Sequence, residues 1–264
     1  LSLSWMTADA SHHILADVLF AGLYFAALMS LVLGHSWGVF GLLAGLAYLT
    51  KGSGHLLLLA PLALTARRLR RGEPALGALA KAAGGFAAGA SLLLWRNAVV
   101  WGDIFHNFNA KVIFLDRWSD MWRLVGTPTW EEIGPAWYWR RHGAIEILER
   151  LARGGKAVFS NLVQCLGSGP MWPPSHMAVG ATLLILAAYG VARRWREGHR
   201  EEILALLSPT ILYFPALAWS QQAGIAGLRF LLPVATTLLP LAVLGAGEAL
   251  RRWTPQVLVQ KGPG

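Results

Sequence analysis

Lys51 is the residue whose placement most invites chemistry. In Leu49-Thr50-Lys51-Gly52-Ser53-Gly54 it separates two apolar runs, fourteen residues from Trp37 to Thr50 and thirteen from Gly54 to Ala66. A hydrocarbon core about 30 Å thick takes roughly 20 helical residues. Neither run crosses that comfortably, so the turn at Lys51 is expected below the membrane surface. An ammonium at that depth is costly unless it faces a wet cavity or a counter-charge. The glycines beside it allow a tight turn whose backbone N–H groups would join the lysine in binding an anion. A phosphate or carboxylate is the suitable partner, and the competing reading is a lysine snorkelling to the interface from a short loop.

Three other places hold side chains able to bind or react. Arg229 opens Gly227-Leu228-Arg229-Phe230-Leu231-Leu232-Pro233 at the mouth of an apolar stretch, and a guanidinium there suits bidentate phosphate binding or plain interfacial anchoring. Asp9, His12, His13 and Asp17 precede or enter the first apolar run. His13 and Asp17 would share a helical face, but no third ligand stands at a recognisable spacing, so no metal site is assigned. Asp17, just inside the run, is the best of the four for a cavity-facing role. Finally, Arg96 to Lys111 mixes Asp103, His106, Asn107 and Asn109 with aromatic residues. That inventory reads sugar hydroxyls and stacks on sugar rings, and it also suits an ordinary interfacial helix end.

These residues must be positioned by membrane-spanning helices. The 264-residue chain is 55% hydrophobic and only 14% charged, and its apolar residues cluster in blocks at 14–34, 37–50, 54–66, 75–100, 176–195, 201–222 and 228–250. Nothing in these blocks alternates with period two, so helices are expected. The net charge of +9 is topology and not a nucleic-acid signal. Arg67, Arg68, Arg70 and Arg71, then Arg193, Arg194, Arg196 and Arg200, then Arg251 and Arg252 fill short connections, which the positive-inside rule assigns to the cytoplasm. Parity then puts Asp17, Lys51, residues 101–175 and Arg229 on the outer face.

The fold class is therefore all-α, a polytopic transmembrane helix bundle of about seven apolar segments, two of them short, with a partly helical extracytoplasmic loop subdomain. Residues 1–100 form transmembrane helices including the Lys51 hairpin, 101–175 the loop subdomain, 176–252 three transmembrane helices and 253–264 a cytoplasmic tail. Seven tryptophans and an amphipathic helix at Ala144–Leu151 mark the loop as a roof over the bundle rather than a linker. The Gly41–Gly45 and Gly85–Gly89 spacings are read as sites of close helix packing. Cys165 is a lone cysteine, read as a small buried residue. No signal peptide is visible, and with Leu1 in first place the chain is expected to begin inside a longer protein.

Four stretches resemble the polytopic glycosyltransferases that take a sugar from a polyprenyl phosphate. This is the GT-C superfamily of protein mannosyltransferases and bacterial aminoarabinose transferases, similar to glycosyltransferase family 39. They are His12 to Phe20, Gly41 to Gly54 with its Thr-Lys-Gly turn, Arg96 to Asn109 with Gly-Asp-x-Phe-x-Asn, and Arg229-Phe230-Leu231-Leu232-Pro233. The resemblance implies inverting transfer at an extracytoplasmic site in an integral protein of the bacterial inner membrane. The acceptor would be a lipid, glycan or protein, and the donor phosphate would meet Lys51 and Arg229. Asp17, Asp103, His106, Asn107 and Asn109 would contact sugar or acceptor. The family's catalytic carboxylate stands in the first outer loop, which is expected upstream of Leu1, so no catalytic residue is assigned. No cofactor is identified, a divalent metal stays open, and the expected partners are donor, acceptor and membrane lipids, with no nucleic acid. Two other readings are a carrier or flippase for lipid-linked saccharides and a non-catalytic membrane subunit.

Overall fold

The structure, a computed structural model, describes residues 2–107, 109–117, 119–167, 175–220 and 230–253, with side chains from Leu15 onward except those of residues 109, 175, 176, 252 and 253. Among them there are helices and no strand. The spans are α1 (Ser2–Val32), α2 (Trp37–Thr50), a 3₁₀ helix (Gly52–Leu58) running into α3 (Leu59–Arg70), and α4 (Leu76–Trp101). Short helices α5 (Asn109–Val112), α6 (Asp120–Leu124), α7 (Pro128–Glu132) and α8 (Pro135–Arg141) lead to α9 (Ala144–Leu166). Then follow α10 (Ser175–Arg196), α11 (Arg200–Ser220) and α12 (Leu232–Trp253). Five helices are long and apolar enough to cross a membrane, which makes this an integral membrane protein by length and composition.

The hairpin around Lys51 has the expected short arms but returns through a 3₁₀ turn. Ser36 caps α2, its hydroxyl accepting from Gly38 N–H at 3.2 Å, and the 14 residues that follow rise about 21 Å. The return arm has seven 3₁₀ residues and twelve α-helical ones, rising about 32 Å at the looser 3₁₀ spacing and the α spacing together. The apolar part of that arm, Gly54 to Ala66, accounts for only about 22 Å of this. Both arms are therefore short, and the 3₁₀ turn adds about 2–3 Å over a straight α-helix.

Charges sort the two ends. Arg68 and Arg71 of the α3 terminus both reach Glu201 at the start of α11, at 2.9 and 3.0 Å, while Arg193 of α10 and Arg251 of α12 share Glu248. The three arginine-rich connections thus meet at one end of the bundle. Trp37 joins them, its ring 5.4 Å from the Arg68 guanidinium. Between the ends lies a core in which Tyr24, Ala27 and Leu28 of α1 are fully buried against Phe40, Ala44 and Ala47 of α2 and Leu241 of α12.

The glycine spacings are where two backbones meet. A methyl on Gly41 or Gly45 would collide with the carbonyls of Ala82 or Phe86, and one on Gly85 or Gly89 with those of Gly38 or Leu42. The motifs of α2 and α4 therefore face each other within one chain. Gly45→Leu is expected to destabilise the protein by about 3 kcal/mol or more, because the neighbour is backbone and cannot step aside. Gly84, with open space around it, is the control: Gly84→Leu should change the melting temperature in detergent little, and equal losses from both variants would contradict this packing.

Residues 101–167 carry a small core of their own, built on Leu115, Met121, Trp130, Trp137, Tyr138 and Ile147. The amphipathic helix expected to end at Leu151 continues to Leu166. It crosses the ends of the spanning helices opposite the arginines: Gly154 presses on Ala218 near the end of α11 and Val163 on Gly180 near the start of α10.

Candidate functional site

Helix lengths alone bring Asp17 and Lys51 together. Asp17 lies fifteen residues before the end of α1 and Lys51 fourteen after Trp37, rises of about 22 and 21 Å from the same arginine end. Both stop roughly 8 Å short of the far side of a ~30 Å core. Lys51 Nζ donates to Asp17 Oδ1 at 2.5 Å, with side-chain exposures of 20% and 9%. The expected anionic partner is thus found inside the chain, from a residue 34 positions away.

Aromatic and amide groups complete the surroundings. Lys51 Nζ stands 3.9 Å from the centre of the Phe230 ring and 5.6 Å from that of Phe20, a cation–π setting. Asn107 packs on Gly52, where a methyl would lie 3.1 Å from Asn107 Nδ2. The backbone of the turn serves it differently from the expected anion nest. Lys51 is extended, with φ −153° and ψ 125°, and Gly54 N–H donates to Lys51 O at 2.8 Å to open the 3₁₀ helix. Gly54 is glycine because a Cβ there would strike the Ala47 and Tyr48 backbone.

The run after α4 is held by one buried amide. Gly102, in the left-handed region at φ +68°, ends the helix. Asn97, 2% exposed, donates from Nδ2 to His106 O at 3.0 Å and Ile104 O at 3.4 Å. Asp103 accepts from Phe105 N–H at 2.9 Å, and the His106 ring stacks on Trp101 at 4.5 Å. These contacts set Asn107 beside the lysine turn. The side chains of Asp9, His12, His13 and Asn109, and the whole of Arg229, lie outside the described residues. Arg229 is bonded to Phe230, which is at the site. Among the described residues no three His, Cys, Asp or Glu side chains converge as metal ligands. Hollows of about 500 and 280 Å³ lie elsewhere, toward the arginine end.

Arg150 was not singled out from the sequence, yet it ties the outer helices to the bundle. Only 6% exposed, it donates from Nε to Trp219 O at 2.9 Å and from Nη2 to the carbonyls of Leu115 and Ile113 at 2.9 and 3.1 Å. Its guanidinium lies against the adjoining rings of Tyr138 and Trp219, at 4.8 and 4.7 Å from their centres. Beside it Asp116 meets His142 Nε2 at 3.2 Å and Arg150 Nη1 at 3.5 Å. Cys165 is half-buried, and burial pushes its thiol up from the ordinary range. Set against known proteins, the chain matches no family model, no curated protein and no solved structure.

Proposed function

We propose that this protein is a membrane glycosyltransferase that takes a hexosyl or pentosyl group from a polyprenyl-phosphate donor at its outer face. The observation that carries the reading is the Lys51 ammonium at a recessed turn, oriented by Asp17 and walled by Phe230, with Asn107 packed on the neighbouring Gly52. A lysine so placed supplies three donors in a low-dielectric setting, which suits the phosphate of a lipid whose tail stays in the bilayer. By the positive-inside rule the arginine end is cytoplasmic and this site outward, in keeping with a bacterial inner-membrane location.

In this reading an acceptor hydroxyl attacks the anomeric carbon, the bond from that carbon to the phosphate oxygen breaks, and polyprenyl phosphate departs. Lys51 and Arg229 stabilise the leaving charge. Asn107, with Asp103, His106 and Asn109 on the same run, meets the sugar or the acceptor. Asp17 positions the lysine and is given no acid–base role. The native gene product in proteoliposomes, supplied with a polyprenyl-phosphate sugar and a mixture of lipid and peptide acceptors, is expected to transfer labelled sugar. Arg229→Ala and Lys51→Met should each reduce that transfer by at least tenfold. Translocation of the donor without transfer would overturn the proposal.

A further inference from the structure

At the arginine end, α10, α11 and α12 leave an apolar groove of about 500 Å³ open to the surroundings. Its cause is in the sequence. Ala187, Ala188 and Ala192 form a floor of missing side chains between Leu207 and Leu238, and Trp195 and Arg196 stand at its end. The lining runs along one face of α10 from Leu184 to Arg196, twelve residues or about 18 Å. That is about the depth of one leaflet of a ~30 Å core.

The arginines on this side divide into ones paired with glutamate and ones, Arg67, Arg70, Arg196 and Arg200, that stand in no ion pair among the described residues. Arg68, Arg71, Arg193, Arg194 and Arg251 are each paired with a glutamate. Of the latter, Arg196 lines the groove's end, and the Arg200 guanidinium lies 5.6 Å over the Trp195 ring. Two guanidiniums beside an interfacial tryptophan, at the mouth of a leaflet-deep apolar groove, complement one class of molecule in both shape and charge.

We infer that this groove binds one anionic phospholipid of the bilayer, its acyl chain along the alanine floor and its headgroup phosphate between Arg196 and Arg200. Guanidiniums grip phosphate oxygens bidentately, and juxtamembrane arginines draw anionic lipid by about 1 kcal/mol each. The inference is independent of the transfer chemistry, since the groove lies at the other end of the bundle.

The test is native mass spectrometry of the detergent-extracted full chain titrated with phosphatidylglycerol or phosphatidylcholine. Two arginines predict a roughly thirtyfold preference for the anionic lipid. Arg196→Gln with Arg200→Gln should erase the preference, and Arg196→Lys with Arg200→Lys should keep most of it. Ala188→Phe, at an exposed position, should fill the groove and weaken both lipids. Unchanged melting temperature without added lipid certifies the variants. Equal binding of the two lipids by the native protein, full preference in the glutamine pair, or displacement by glycerol phosphate as effective as by intact lipid would each overturn the site.

Discussion

Arg150→Ala is expected to release the outer helices from the membrane bundle while the bundle itself stays assembled. Among the described residues, residues 109–143 are joined to α11 through this side chain and through its neighbour Trp219, whose Nε1 donates to Ile113 O at 2.8 Å. Alanine removes charge-assisted bonds to the carbonyls of Ile113, Leu115 and Trp219, each worth about 1.5–3 kcal/mol. It also removes the cation that lies against the Tyr138 and Trp219 rings. Since these contacts act as a unit and the carbonyls regain some water, the net loss is about 3–5 kcal/mol. Arg150→Lys should recover little, because one ammonium cannot serve carbonyls on both sides of the fork. Hydrogen exchange reads the outcome. Amides around Met121 and Trp130 should lose protection, whereas those around Ala44 and Leu241 should not. Unchanged protection near Trp130 would show that the small aromatic core holds alone.

The reason this residue escaped the sequence also explains what did not. Spanning helices announce themselves through blocks of apolar residues, because the bilayer imposes one length and one polarity on every segment. Arg150 has no such signature. It occupies a polar-looking position of an amphipathic helix, and its burial is created by residues 113, 115 and 219, distant in sequence. The far half of α9 is a related case: it runs helically through Gly154 and Gly155, and Gly154 is there to let Ala218 approach. At the candidate site, the 14-residue helix that ends just before Lys51 was legible from segment length alone. The partner of Lys51 was legible only in principle, by counting α1 and α2 from the same end. The 3₁₀ geometry of Gly52–Leu58 was not, because the packing of Gly54 on α2 selects it.

Lys51→Met is expected to act twice, once on the fold and once on the ligand, and a double variant separates the two. Asp17 is 9% exposed and its carboxylate lies 2.5 Å from the ammonium. Taking the cation away from a carboxylate so buried costs about 3 kcal/mol. Asp17→Asn should cost less, since an amide is cheaper to hold in low dielectric than a carboxylate deprived of its ammonium. In the Asp17→Asn, Lys51→Met protein no charge of the pair remains, and stability should return part of the way, with a coupling on the order of 2 kcal/mol. A lysine present only to neutralise Asp17 would then be dispensable for binding. A lysine that grips the donor phosphate would not, and losing a charge-assisted bond worth about 1.5–3 kcal/mol weakens binding by roughly ten- to a hundredfold. Calorimetric titration of the double variant with a polyprenyl-phosphate sugar decides it. Restored stability with weakened binding makes Lys51 a donor residue held in place by Asp17, and native affinity in the restored protein would leave the pair a structural strut.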